Sequence, residues 1–196
     1  MSTLKELLLD EQTTLAQVTE HLRKLSLDRK IAEVTVLNKK CQARLWELAK
    51  DGQPLSLDYV VPPNAKPLEP QPFEGKNSLP AFTRFQKVFY RQRDGQIAGY
   101  NNAGIGGIIG WGYYIAEQSA KAKKELAVNY KKTPQEKPEN WPEIKPNTAG
   151  LSRFVYGNMI DFLRWVDEDV LIGKAFRHGE KDINSYFVLC RKNPRK

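Results

Sequence analysis

Apolar residues near the N-terminus recur every three or four positions, the spacing of a helix with one buried face. One such stripe covers 3–25, and a second ends at Gly52, where glycine suits the residue after a helix. Only a short turn at Ser26-Leu27 separates the two stripes. The pattern therefore predicts an antiparallel helical hairpin over 1–52.

The two stripes also suggest where the first helix breaks and what the apolar faces pack against. Thr14 followed by Gln17 has the spacing of a capping box, at which the first helix would restart after a polar break. The apolar faces are expected to pack on each other or on a sheet. The alternative is a dimerising coiled coil, which would make the protein a homodimer through its N-terminal helices, although the stripes cover few heptads.

Proline dominates the next segment, 53–80, which contains seven prolines. Because proline removes amide donors and favours extended backbone, this segment is expected to be a connector running over the surface. Within it, LSLDYVV is the one short strand candidate.

The segment 79–118 is the most aromatic and the richest in glycine. Its first half alternates aromatic and basic residues and leads into Asp94-Gly95, a hairpin signal. Glycines interrupt the strand-like residues of its second half, as they do at bulges and bends of curved sheets. The run GIGGIIG at 104–110 lacks the third glycine of a dinucleotide-binding loop, and strand-like residues follow it instead of a helix.

Short apolar runs with turn signals continue to the C-terminus, including a hairpin-type connection at 177–180. A long polar loop interrupts them, in which Trp141 is expected to act as an anchor. The count is six to eight short strands. We therefore predict an α+β protein in which 81–196 forms an antiparallel β-barrel or half-barrel, lipocalin-like in outline, capped by the helical hairpin.

Composition limits the partners and the compartment. The formal net charge is +8, and its excess lies downstream of residue 51. A basic surface would suit an anionic membrane or nucleic acid; the plain alternative is solubility alone. The aromatics do not follow the spacing of RNA-recognition strands, which makes nucleic acid the weaker expectation. No apolar run approaches the ~20 residues of a membrane span, no signal peptide is evident, and two separated cysteines indicate a reduced, cytoplasmic protein.

Candidate chemistry is sparse. The sequence has two histidines, in different predicted elements, so neither a metal site nor a Ser-His-Asp triad is expected, and no cofactor is predicted. Asp161 stands out because it lies inside a β-rich run, where an inward carboxylate needs a basic partner. The cations considered as that partner are Arg84, Arg153, Arg164 and Lys174. The acidic cluster at 167–169 is interpreted as a polar turn.

The C-terminal segments 155–176 and 185–192 contain a Tyr-rich strand, an Ile-Asp pair, an aspartate turn, a Leu-x-Gly strand and a final aromatic strand. The residues concerned are Tyr156, Ile160, Asp161, Phe162, Arg164, Val166, Asp167, Leu171, Gly173, Tyr186 and Phe187. This order resembles the C-terminal module of uncharacterised bacterial proteins named for a GXWXG motif, which is itself absent here. The resemblance implies a small β-barrel-like domain and no particular activity.

The leading expectation is therefore a binding protein for a small, largely apolar ligand, such as a fatty acid or an isoprenoid, held in the barrel. Arg84 or Arg164 would anchor a polar head group, with Asp161 as its partner. The candidate wall residues are all aromatic: Phe85, Phe89, Tyr100, Trp111, Tyr113, Tyr156 and Trp165. The alternatives are an isomerase, cyclase or hydratase using Asp161 or Tyr156 as proton donor in the same cavity, and a peripheral membrane or nucleic-acid binder.

Overall fold

Eight antiparallel strands close into a β-barrel in which each strand pairs with the next along the chain, and β8 returns to pair with β1. The structure is a computed structural model that describes residues 2–81, 83–103, 111–148 and 152–195. The strands are β1 Gln71–Asn77, β2 Arg84–Arg91, β3 Ile97–Asn102, β4 Tyr114–Gln118, β5 Leu126–Asn129, β6 Met159–Trp165, β7 Val170–Arg177 and β8 Lys181–Arg191. The predicted antiparallel barrel is confirmed, and it is fully closed. The run at 104–110 lies outside the described residues.

Two hairpins lie where the turn signals placed them. The β2–β3 connection passes through Gly95 with φ of 89°. The β7–β8 turn has positive φ at both His178 (57°) and Gly179 (74°), as a type I′ turn requires. The turn ends with the Glu180 amide donating to the Arg177 carbonyl at 3.1 Å.

Glycines inside the barrel leave room for aromatic rings on the neighbouring strand. Gly173 lies directly opposite Phe187, and a Cβ added at Gly173 would lie 2.2 Å from that ring. Gly75 has the same relation to Phe85, at 2.7 Å. These strand glycines are therefore required by close approach of a side chain.

The described N-terminal residues form four α-helices and a 3₁₀ turn, where two helices were expected. They are α1 Leu4–Leu9, α2 Leu15–Arg23, α3 Leu27–Val34, α4 Lys39–Leu48 and the 3₁₀ turn Ala49–Asp51. The extra breaks have local causes, because Thr3 and Thr14 both form capping boxes and the Asn38 side chain caps α4. The predicted restart at Thr14 is confirmed.

The helices cover the outer face of β6, β7 and β8. Their buried residues, among them Leu22, Val34 and Leu45, share one core with the outward-facing Ile172 and Val188 of the sheet. The expectation that the apolar stripes pack on the sheet and on each other is confirmed. A homodimer through these helices stays a prediction.

A buried ionic contact fastens α3 to the β6–β7 turn. Lys30 Nζ lies 2.8 Å from Asp167 Oδ2 and 2.6 Å from Asp169 Oδ2. The Asp167 Oδ1 atom accepts from the Asp169 and Val170 amides, so the acidic cluster is a turn, as interpreted from the sequence.

Two predictions for the connector 53–80 are wrong. LSLDYVV contains a helical turn, α5 Leu57–Val60, instead of a strand. It closes one end of the barrel: Tyr59, Val60 and Val61 are buried in the barrel core, and the Tyr59 hydroxyl donates to the Asp167 carbonyl at 2.7 Å.

The barrel also begins earlier than residue 81, because β1 lies within the predicted connector. Gln71–Asn77 reads poorly as a strand because it contains Pro72 and Gly75. Pairing with strands on both sides overrides this weak local preference, since the segment bonds to β2 and to β8 along most of its length.

The long loop after β5 packs against the outer face of β2–β4. Trp141 stacks on Tyr100 with ring centroids 3.8 Å apart and meets Trp111 edge-on at 5.2 Å. Trp141 is therefore the predicted anchor. A short helix, α6 Ser152–Val155, then leads into β6.

Candidate ligand-binding cavity

The barrel interior contains a cavity of about 370 Å³ at the end opposite α5. This volume is near the lower end of the ~300–1,000 Å³ that small-molecule sites occupy. Inward-facing residues of β1–β3 and β6–β8 line it together with Tyr130, α6 and Tyr156. The lining includes Leu79, Phe85, Lys87, Asn101, Tyr130, Phe154, Tyr156, Asp161, Ala175, Arg177, Ser185 and Phe187.

A lysine and an aspartate form the polar part of this cavity. Lys87 Nζ donates to Tyr130 Oη at 2.6 Å and to Asp161 Oδ2 at 3.3 Å. The Lys87 side chain is 1% exposed and that of Asp161 is 4% exposed. Burial at this depth makes the ion pair costly, so its surroundings must compensate both charges.

Aromatic rings surround the ammonium group. Nζ of Lys87 lies 4.8 Å from the ring centroid of Tyr114, 5.1 Å from that of Tyr130 and 5.0 Å from that of Phe187. Ring faces attract a cation within about 6 Å. They therefore replace part of the hydration that Lys87 loses.

Tyr130 connects the polar residues and uses its full hydrogen-bonding capacity. Its hydroxyl accepts from Lys87 Nζ and from Asn101 Nδ2 (2.9 Å), and it donates to Asp161 Oδ2 at 3.1 Å. Since the hydroxyl proton goes to Asp161, Asn101 must present its amide nitrogen to Tyr130. This orientation leaves the Asn101 oxygen for other contacts.

Two buried acceptors in this cluster lack a hydrogen-bond partner among the described residues. They are Asp161 Oδ1 and Asn101 Oδ1. Both residues line the cavity. Because a buried polar atom without a partner is costly, each such atom calls for an explanation, and a group bound in the cavity would supply one.

Burial shifts the pKa values of this cluster towards the uncharged forms. Desolvation lowers the pKa of Lys87, although Asp161 opposes the shift. Desolvation raises the pKa of Asp161 against the opposing effects of Lys87 and Tyr130. Burial also raises the pKa of Tyr130 well above its usual range and that of Tyr156 to about 12. Burial therefore brings the pKa values of Lys87 and Asp161 closer together.

The mouth of the cavity is apolar and fastened by an arginine. Arg177 donates to the carbonyls of Gly157 and Phe154, both at 2.8 Å, which holds α6 at the rim. Phe154 is 62% exposed and Leu79 is 49% exposed.

The structure brings only part of the predicted site together. Phe85, Tyr156 and Asp161 line the cavity. Phe89 and Trp165 belong to the packed barrel core nearer α5. Tyr100, Trp111 and Tyr113 lie on the outer face under the Trp141 loop. These last three were predicted as wall residues, and that placement is wrong because the loop buries the outer face of β2–β4 as thoroughly as the barrel buries the inner one.

The predicted cations do not anchor the cavity. Arg84 is exposed and lies opposite Lys76 in the β1–β2 pair. Arg164 faces the helices, where Nε bonds Glu125 at 2.7 Å and the guanidinium lies 3.7 Å from the ring centroid of Trp46. Arg153 is exposed, and Lys174 pairs with Asp182 at 2.6 Å. The partner of Asp161 is Lys87 instead.

Lys87, Asn101 and Tyr130 were missed by the sequence reasoning, but Lys87 left a signal. Side chains two apart on a strand share a face, and Phe85 and Phe89 were already expected to face inwards. The same alternation places Lys87 between them. Lys87 was not predicted because basic residues in this segment were expected to face solvent or the mouth of the cavity.

Within the described parts of the chain, every helix is too short or too polar to traverse a lipid bilayer. Across the same residues, histidine, cysteine, aspartate and glutamate nowhere gather in a group of three that could hold a metal ion. Cys41 and Cys190 are both buried and unpaired. Comparison with protein families, with curated proteins and with solved structures finds no match to this chain.

Proposed function

We propose that this protein binds a small, largely apolar molecule inside its β-barrel. The observation that carries the proposal is the cavity of about 370 Å³, which is mostly apolar and has one buried polar cluster. Sites for small molecules combine these properties, since apolar walls provide affinity and a few polar groups fix orientation.

The chain departs from a filled core at this end of the barrel, and that supports the proposal. The half near α5 is filled by large rings, including Phe73, Phe89 and Trp165. The other half contains Ala175 and Ser185 at inward positions, where larger side chains would occupy the space. Small inward residues beside a buried charge pair favour a ligand over a core.

Native mass spectrometry of the purified protein, with extraction and identification of whatever co-purifies, tests the proposal. A matched pair of variants makes the test specific. Ser185→Trp places an indole in the cavity, and Lys181→Trp places the same group at an exposed position of the same strand.

We expect the native chain and Lys181→Trp to carry, or take up from a lipid extract, a small molecule that Ser185→Trp loses. Equal loading of the two variants would place the molecule outside the barrel. A native chain that neither carries nor takes up any such molecule would refute the proposal.

An acid–base enzyme is the second candidate, and the Lys87–Asp161–Tyr130 cluster favours it. General acids and bases work best with pKa values near the operating pH, and burial moves Lys87 and Asp161 in that direction. A carbon-13 NMR titration of the Asp161 carboxyl tests this candidate. A pKa at the ordinary value of about 3.9 would remove its support. Binding to anionic membranes through the basic surface stays a prediction.

A further inference from the structure

The polar cluster of Lys87, Asp161, Tyr130 and Asn101 has two buried hydrogen-bond acceptors without a partner among the described residues. The Tyr156 and Ser185 hydroxyls, which also line the cavity, can each donate or accept. Tyr130 Oη already accepts twice and donates once. Lys87 Nζ donates two of its three protons to Tyr130 and Asp161, and the ring centroids of Tyr114 and Phe187 lie 4.8 and 5.0 Å from it. The acceptors Asp161 Oδ1 and Asn101 Oδ1 are the atoms left unpaired.

The net charge of the cluster also favours a ligand that donates a hydrogen bond. Lys87 and Asp161 together carry no net charge, whether the shared proton lies on Nζ or on Oδ2. In either arrangement Asp161 Oδ1 remains an acceptor, as a carboxylate oxygen or as a carbonyl oxygen. An anionic head group at this cluster would place further acceptor atoms next to two acceptors that already lack donors. It would also place a negative charge beside the Asp161 carboxyl.

One cation lines the mouth of the cavity apart from this cluster. Arg177 donates to the Gly157 and Phe154 carbonyls, which are neutral, so it keeps its positive charge while it holds α6. Lys76 and Arg84 lie on neighbouring strands, and neither lines the cavity.

From this arrangement we infer that the ligand is a neutral molecule whose polar end is a hydrogen-bond donor, an alcohol above all, and that its hydroxyl donates to Asp161 Oδ1 with Asn101 Oδ1 as a second acceptor. This inference rests on the proposed binding function and makes its substrate class specific. It argues against a fatty-acid carboxylate at this cluster and keeps the hydroxylated isoprenoid.

Three probes of nearly equal size test the inference by isothermal titration calorimetry at neutral pH. They are n-octanol, its isomer heptyl methyl ether, and octanoate. The ether accepts hydrogen bonds but cannot donate one, and octanoate is an acceptor with a charge. We expect n-octanol to bind at least about tenfold more tightly than either, because only its hydroxyl pairs a buried acceptor.

The double variant Lys87→Met with Asp161→Leu supplies the matched control, because it removes the carboxylate together with its cation. In it, n-octanol should lose most of its advantage over the ether, because Asn101 Oδ1 is then the remaining unpaired acceptor. Octanoate binding as tightly as n-octanol to the native chain, or the ether doing so, overturns the inference while leaving apolar ligand binding intact. Failure of all three probes to bind overturns the proposed function and the inference together. The comparison of probes uses the native chain, so it stands even where the double variant fails to fold.

Discussion

The buried pair Lys87–Asp161 should behave as a single unit in a double-mutant cycle. Lys87→Met keeps the length of the side chain but leaves Asp161, 4% exposed, without its cation. Asp161→Leu leaves Lys87, 1% exposed, without its carboxylate. Applying both changes removes the two charges and fills the site with apolar atoms.

The structure sets the expected magnitudes. Removing one partner of a buried pair costs about 3–5 kcal/mol, because the other charge stays buried. Asp161→Leu should lie at the lower end of that range of ~3–5 kcal/mol, since Lys87 keeps the Tyr130 oxygen at 2.6 Å and the ring faces. Lys87→Met should lie at the upper end, because Asp161 keeps only the Tyr130 hydroxyl at 3.1 Å. The double variant should lie within about 1 kcal/mol of the native chain or above it.

The penalty of Lys87→Met should depend on pH with a defined sign. Burial already raises the pKa of Asp161, and removing Lys87 takes away an effect that opposed the rise. The folded state then binds a proton more readily than the unfolded state does. Its stability relative to the native chain therefore improves as the pH falls from neutral through the raised pKa of its Asp161, and the difference becomes constant once Asp161 is protonated in both folded chains.

Urea unfolding of the four chains, followed by fluorescence and circular dichroism, measures the cycle. Lys132→Met is the surface control, because Lys132 pairs with Glu117 at 2.7 Å with both side chains well exposed. It should cost less than about 1 kcal/mol. A cost below ~1 kcal/mol for Lys87→Met, or a double variant as unstable as the sum of the single ones, would refute the buried charge pair.

Three further substitutions test other parts of the fold. Gly173→Ala should destabilise the barrel by about 1–3 kcal/mol in urea unfolding and shrink the cavity, because its methyl group displaces the Phe187 ring; unchanged stability and ligand uptake would argue against this packing. Trp141→Ala should make its loop susceptible to limited proteolysis and cost about 0.5–1.5 kcal/mol of stacking on Tyr100; an equally protected loop would contradict the anchor. Burial lowers the pKa of Lys30, but its two aspartate partners outweigh that effect and the net shift is upward. The bridge should therefore stabilise the fold fully below about pH 10.4, and this stabilisation should be lost as the pH rises through the folded pKa. Lys30→Met should lack this loss of stability at alkaline pH in urea titrations.

The barrel could be predicted because its signals are local. Alternating residues, Asp94-Gly95 and the 177–180 turn each specify a strand or a hairpin within a few positions. Strand β1 could not, since its identity depends on partners more than a hundred residues away in β8 as well as on β2. The helical turn Leu57–Val60 was missed for a related reason. Its apolar residues are buried against a barrel that other segments of the chain form, so the segment alone does not reveal what buries them.

The site was harder to predict than the fold because both faces of this sheet are buried. Alternation separates Phe85 and Phe89 from Val88 and Tyr90 but does not say which set lies inside. The helices cover the outer surface of β6–β8, and the Trp141 loop covers the outer surface of β2–β4. Outward residues such as Tyr100 and Tyr113 are therefore as apolar as inward ones. Lys87, which lies between the inward-facing Phe85 and Phe89 on β2, is the residue that could have distinguished the inner face from the outer one.

The presence of this pair is itself an argument for a ligand. Well-packed apolar side chains would stabilise the barrel at least as well as Lys87 and Asp161 do, since a buried ion pair repays its desolvation poorly. Stability therefore does not account for them, whereas orientation of a ligand in an apolar cavity does. The double variant separates the two explanations. If it folds as stably as the native chain but loses most of its preference for n-octanol over heptyl methyl ether, the pair serves recognition; if it loses several kcal/mol and keeps the preference, the pair is structural and the alcohol donates elsewhere.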